Sequence, residues 1–195
     1  VDIINCSFGG YNNREESTKI ENEVLKEVKD KNTIIVCSSG NDGNKTGYDY
    51  ENHYPSASPY TISVGATDIN REIADFSNYA SSVDFTAPGV DLTLPSFAGD
   101  DTYAIASGTS FASPLVSAAF ALLKTENPSY SVDQLKKELI KHCDDLGTAG
   151  KDKYYGYGEV NFFKNKFSTP AIVEADSEQK WGKDEIFTLS VEGIN

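Results

Sequence analysis

Apolar and charged positions alternate in a simple order along the first part of the chain. Val1–Cys6 (VDIINC) is a nearly continuous apolar run and predicts a buried strand, closed by the turn signal Ser7–Gly10 (SFGG). From Glu15 to Lys31, the residues Ile20, Val24, Leu25 and Val28 recur at helical spacing among charges, which predicts an amphipathic helix with one face in solvent. Thr33–Cys37 (TIIVC) is short, continuous and β-branched, as expected of a strand covered on both faces. Strand, helix and strand in that order form a βαβ unit, so a parallel sheet and an α/β fold follow.

The pattern lapses over Ser38–Pro59, rich in Gly, Asn, Asp, Ser and Tyr, which reads as a long loop of the kind that function explains better than packing. Strands are predicted at Thr61–Gly65, Val83–Thr86 and Thr102–Ala106, then helices over Ser110–Thr125 and Val132–Cys143. Ser131 and Gln134 have the spacing of a capping box for the second of these helices. Ala171–Asn195 reads as two short strands around the polar turn Asp176–Asp184.

Length and charge narrow the function. The 195 residues suffice for one sizeable core, and 38 % hydrophobic with 24 % charged residues is an ordinary globular balance. A net charge of −13 leaves no basic stripe for phosphates, so nucleic acid and an anionic membrane surface are not expected partners. The longest apolar run, Ala118–Leu123, is far too short for a membrane span, and the start lacks a signal-peptide layout. Because the chain opens inside a strand-like run, it reads as a fragment of something longer. Cys6, Cys37 and Cys143 show neither paired nor metal-type spacing and are expected as free thiols.

One stretch carries chemistry. In Ile105–Pro114 (IASGTSFASP), Thr109 and Ser110 stand at the start of an apolar helix, where hydroxyls ordinarily cap orphan N–H groups. Three features compete with the cap reading. Gly108 lets the backbone pass close to a neighbour, Thr109 alone suffices as a cap, and Pro114 removes the N–H that would bond the Ser110 carbonyl. A helix mouth also stabilises negative charge, which suits a serine whose attack creates an oxyanion.

Gly108–Val116 (GTSFASPLV) resembles the active-serine signature of the subtilisin family, G-T-S-x-A-[ST]-P-x-V, in which the serine after Gly-Thr is the nucleophile. Leu115 and Ala118 depart from the usual histidine and glycine, at positions expected to serve helix packing. Further segments resemble the family in the same order. Asn5–Gly10 is similar to N-x-S-[LF]-G-G, Ser38–Asn41 to A-A-G-N, and Tyr54–Pro55 with Ile62–Ala66 to Y-P-A…I-x-V-G-A. Asp75–Tyr79 and Asp84–Val90 are similar to F-S-N-x-G and D-x-x-A-P-G-x. The resemblance spans Ile3 to Asn161. It implies a subtilisin-like three-layer α/β/α fold with a mostly parallel sheet over residues 1–167, its amino-terminal part missing, and a tail over 168–195.

By the same resemblance the chain is a serine endopeptidase, acting on peptide or protein substrates through an acyl-enzyme. Ser110 is then the nucleophile and the Asn41 side chain an oxyanion donor, while Ser7, Phe8, Gly9 and Gly10 face Ser38, Ser39 and Gly40 across an extended substrate. The family's aspartate and histidine segments, D-[ST]-G and H-G-T-H, have no counterpart in the sequence. His53 lies in the substrate-side loop without the Gly-Thr context and His142 late on a polar helix face, so neither is expected to be the base. A serine hydroxyl without a base is a weak nucleophile, so the chain alone is expected to be nearly inert.

The Asp and His are therefore expected from a missing amino-terminal segment or a second chain, with self-association as another way to cover an open edge. The competing reading is a pseudoprotease or regulatory peptide-binding module, and the residues encoded before Val1 discriminate the two. No cofactor is required for the chemistry. The family's weak cation site, transferred by resemblance, would use the main-chain carbonyls after the Tyr-Pro pair, those of Ser56, Ser58 and Thr61, with the Asp84 carboxylate, for a structural Ca²⁺ or Na⁺, against an ordinary ordered loop. Family resemblance leans towards a secreted or cell-surface protein and leaves the cytoplasm open.

Overall fold

In the computed structural model, which describes residues 1–12 and 14–161, ten strands and three α-helices follow one another along the chain. They are β1 (Ile3–Cys6), β2 (Gly10–Tyr11), α1 (Glu15–Asp30), β3 (Ile34–Ser38) and, after one 3₁₀ turn at Tyr50–Asn52, β4 (His53–Tyr54). Then come β5 (Ile62–Thr67), β6 (Val83–Pro88), β7 (Leu92–Pro95), β8 (Tyr103–Ala106), α2 (Thr109–Glu126), α3 (Val132–Ile140), β9 (Cys143–Asp144) and β10 (Glu159–Val160). The strands expected around Asp176–Asp184 lie outside the described residues.

The main sheet has the order β1-β3-β5-β6-β10-β9 and is parallel from β1 through β10, with only β9 antiparallel. Alternation along β3 sorts its two faces. Ile34 and Val36 join the main core with Val64, Phe85, Val116 and Phe120, and there α2 and α3 cover the sheet. Ile35 and Cys37 are equally buried but point the other way, where Glu21 of α1 acts on the Cys37 thiol. Helices on both faces explain why the β3 run is continuously apolar. On α2 the stripe Ala112, Val116, Ala119, Phe120 and Leu123 is buried, and Phe120 meets Phe85 edge to face at 6.1 Å. Truncating Phe120 to Ala would cost ~3–5 kcal/mol.

Several expectations need correction. The first strand is only half-buried rather than buried: β1 pairs only with β3 among the described residues, which leaves the expected open edge, and Asn5 is exposed. The helix expected over Val132–Cys143 stops at Ile140 because Cys143 and Asp144 pair with Val160 and Glu159, so His142 lies in a turn before β9. The strand expected at Thr102–Ala106 is formed, at Tyr103–Ala106, and makes a hairpin with β7 apart from the main sheet. Leu115 and Ala118 do not pack inward; both stand on the exposed side of α2. The Ser131–Gln134 capping box is formed as expected. All three cysteines are free, and Cys6 faces Cys37 across the strand register; the hydrogen bond between these thiols lowers the Cys6 pKa to about 7.

Candidate active site

The carboxyl ends of β1 and β3 meet the mouth of α2, the end of a parallel sheet where ligands characteristically bind. Pro114 has no N–H, so the carbonyl of Ser110 one turn earlier lacks its helical donor. Ser7, just past β1, supplies one: its Oγ donates to the Ser110 carbonyl at 2.7 Å and accepts from Asn5 Nδ2 at 2.8 Å. The other end of the Asn5 amide accepts from Ser113 and Ser117 at 2.8 and 3.0 Å, which ties β1 to the flank of α2. Ser110 Oγ, half-buried, donates to the Ser7 carbonyl at 3.2 Å.

Thr109 is not a cap. The helix is preceded by Gly108, which has no side chain to cap with, and Thr109 turns both of its donors to Asn41 Oδ1, the N–H at 2.9 Å and the hydroxyl at 2.8 Å. The same hydroxyl accepts from the Gly40 N–H at 3.3 Å. With Oδ1 doubly engaged, the Asn41 amide orientation is fixed and its Nδ2 remains unspent. A Cβ placed on Gly108 would lie 3.4 Å from that Nδ2, so the amide stands over the helix mouth. The Ser110 N–H, second in the helix, also bonds no carbonyl among the described residues. Two donors, Asn41 Nδ2 beside Gly108 and the Ser110 N–H, thus lie at the mouth of an 18-residue helix, its positive end.

The loop bearing Asn41 is held by a residue whose role sequence reasoning did not identify. Asn78 is 1 % exposed and spends its whole amide. Oδ1 accepts from the Asp42 N–H at 2.7 Å, while Nδ2 donates to the Ser39 carbonyl at 2.9 Å and to the Tyr11 hydroxyl at 3.0 Å. Gly40, with φ of +105°, fits only as glycine, because a Cβ there would lie 2.2 Å from Asn78 Nδ2. The motif containing Asn78 was visible in the sequence, but that its amide faces back across 39 residues was not.

The remaining residues expected at the site divide in two. Phe8, Gly9 and Gly10 are exposed, and the backbones of Phe8 and Gly9 make no hydrogen bond among the described residues, so this segment can pair with an extended peptide. Ser38, Ser39 and Gly40 are buried, and Ser39 Oγ turns inward to the Asn78 carbonyl. Neither histidine reaches Ser110. His53 is buried beneath Gly9 and Gly40, hydrogen-bonded to Ser56, and burial holds its pKa below the usual imidazole range. His142 precedes β9, at the opposite sheet edge from β1, roughly 24 Å away at ~4.8 Å per strand.

A family model described as the subtilase family (Peptidase_S8) matches residues 1–158. The chain belongs to the subtilase family. It is 36 % identical over 162 residues to the minor extracellular protease Epr of Bacillus subtilis, covering 83 % of this chain and 24 % of that protein. It is 36 % identical to an intracellular serine protease of Paenibacillus polymyxa, covering 77 % of this chain and 46 % of that protein. A crystal structure of a lanthipeptide protease superimposes with a TM-score of 0.71 at 29 % identity, covering 83 % of this chain and 60 % of that one. This subtilase chain therefore spans less than half the length of these curated relatives, which include extracellular and cell wall-associated proteases. No helix among the described residues is long and apolar enough to cross a membrane.

Two of the oxygens that the subtilase resemblance nominates for a cation, the Asp84 carboxylate and the Ser58 carbonyl, already have partners. The Asp84 carboxylate already meets the ammonium groups of Lys136 at 2.7 Å and Lys151 at 3.1 Å. Thr61 Oγ1 donates to the carbonyls of Pro55 and Ser58 at 2.9 and 3.1 Å, and Ser56 Oγ is taken up by His53. Two lysine ammonium groups hold the Asp84 carboxylate and a hydroxyl holds the Ser58 carbonyl, so a metal at these oxygens would have to displace them.

Proposed function

We propose that this chain carries the nucleophile and oxyanion site of a serine endopeptidase whose base lies outside the described residues. The observation that carries the reading is the pairing of Thr109 with Asn41 Oδ1, which leaves Asn41 Nδ2 and the Ser110 N–H unspent at the helix mouth that bears Ser110. In this reaction Ser110 Oγ attacks the scissile carbonyl carbon and a histidine takes the hydroxyl proton. The carbonyl oxygen becomes an anion between the two free donors, which are preorganised and reorient little as charge develops. Collapse of the tetrahedral species expels the amine, protonated by the same histidine, and water then hydrolyses the acyl-serine.

The substrate lies as an extended strand along Phe8–Gly9, with its first side chain entering between that segment and Ser38–Gly40. The aspartate- and histidine-bearing part pairs along the free side of β1, whose single neighbour among the described residues leaves a sheet edge open. Without that part the chain self-associates through the same edge. The test is hydrolysis of an unstructured protein by the full-length protein, followed by gel and mass spectrometry. Cleavage that disappears in Ser110→Ala supports the reading. Peptide binding without cleavage by the unaltered full-length protein would instead establish a pseudoprotease.

A further inference from the structure

Asn41 presents its amide at the helix mouth although the residue itself is exposed, so burial does not fix it there. Apart from the two bonds from Thr109, its position depends on the backbone on either side, Ser39 before it and Asp42 after it. Asn78 grips both, accepting from the Asp42 N–H and donating to the Ser39 carbonyl. The backbone of the same segment adds two bonds, from the Asn78 N–H to the Gly40 carbonyl at 3.0 Å and from the Gly43 N–H to the Phe76 carbonyl at 2.8 Å. All of these tie the Asn41 loop to one neighbour, the segment before β6.

Tyr11 ties it to a different one. This residue lies in β2, directly after Phe8–Gly10, and pairs with His53 of β4. Its ring is seated between two others, 4.8 Å from the Tyr48 ring and 5.2 Å, edge-on, from that of His53. The hydroxyl reaches the Asn41 loop, where it accepts from Asn78 Nδ2 at 3.0 Å and donates to Asp42 Oδ2 at 3.1 Å. Chemistry settles both directions, since an amide nitrogen only donates and an ionised carboxylate only accepts. Burial pushes the Tyr11 pKa up to about 12, so the hydroxyl keeps its proton. The hydrogen bond from Lys45 holds the Asp42 carboxyl below its usual range, so the acceptor stays charged and the bond to it is of the stronger kind.

We infer that Tyr11 is a positioning residue for the oxyanion donor: its hydroxyl fastens the loop that carries Asn41 to the strand continuing the peptide-pairing segment, and so holds Asn41 Nδ2 at the helix mouth. Without that hydroxyl, Asn78 Nδ2 and Asp42 Oδ2 each lose a partner and the loop keeps only its tie to the segment before β6. The donor then gains freedom that must be removed as charge develops, and preorganisation is where such a donor has most of its worth. The inference rests on the oxyanion role given to Asn41 in the proposed function.

Tyr11→Phe tests it, because the variant keeps both ring contacts and deletes one oxygen. In full-length protein it should lower kcat about fivefold with KM unchanged. In an Asn41→Ala background the same change should cost nothing further, since a residue that acts only by placing the Asn41 amide then has nothing left to place. A second readout needs no chemistry: amide hydrogen exchange, followed by NMR, at the Thr109 N–H held by Asn41 Oδ1 and the Asp42 N–H held by Asn78 Oδ1. Both should exchange about fivefold faster in Tyr11→Phe, beyond any factor that a change in overall stability, read by urea unfolding, accounts for. An unchanged kcat, a change in KM alone, losses that multiply in the double variant, or exchange no faster than overall stability requires would each overturn the inference. If exchange quickens as expected but the unaltered protein cleaves nothing, the brace stands and the peptidase reading falls.

Discussion

Two helices of this protein begin with a hydroxyl residue, and they use it in opposite ways. At the start of α3, Ser131 accepts from the Gln134 N–H while the Gln134 side chain accepts from the Ser131 N–H, so the helix end is closed on itself. At the start of α2, no side chain caps the helix: Thr109 is directed to Asn41, Ser110 to the Ser7 carbonyl, and the Ser110 N–H stays unspent. Both sequences satisfy the same statistical preference for Ser or Thr at a helix start. What differs is what surrounds them. A cap stabilises the helix in the absence of anything else, whereas an uncapped mouth braced by neighbouring loops keeps its donors for a charge that is not yet there.

Mutations should separate the two mouths by what they change. The largest effect is expected for Ser110→Ala in the full-length protein, with kcat lower by about 10⁶, a magnitude known from subtilisin and carried over by family membership, and a thermal midpoint essentially unaltered. Asn41→Ala should lower kcat by ~10²–10³, again the subtilisin magnitude, with KM little changed, because its amide serves only the developing anion. A pure KM effect would reassign Asn41 to substrate binding.

Thr109→Val removes one of two bonds to Asn41 Oδ1 but keeps the N–H, so kcat should fall only about fivefold, the worth of ~1 kcal/mol. Ser131→Ala should do the reverse, costing ~1 kcal/mol of stability in urea unfolding with kcat/KM unmoved. If Thr109→Val destabilised the fold as much as Ser131→Ala while sparing kcat, the two helix starts would be equivalent and the contrast would fail.

The legibility of this molecule in its sequence follows the same division. Continuous β-branched runs and helical periodicity located α1, β3, β5, β6 and α2, because one-dimensional patterns record burial within one element. Pairings between distant short segments were not visible. The two-residue strands β2, β4, β9 and β10 are too short to show a period, and β1 read as buried because an apolar run does not reveal how many neighbours its strand has. At the site, Ser110, Asn41 and the two flanking segments were nameable from ordered motifs. Asn78 was quoted only as part of a match. His53 was judged solely as a base and set aside, since nothing in the sequence shows its ring lying under Gly9 and Gly40, which belong to two other segments.

The central claim is that the α2 mouth holds a complete nucleophile and oxyanion site lacking only a base. Fluorophosphonate labelling tests it most directly, because covalent modification requires an activated serine but no particular substrate. Full-length protein and the 195-residue chain alone are incubated with the probe, and the modified peptide is located by mass spectrometry. The account predicts stoichiometric labelling at Ser110 in the full-length protein, none in its Ser110→Ala variant, and none in the chain alone. Labelling of the isolated chain at Ser110 as a compact monomer would contradict it, since His53 or His142 would then have to reach the serine.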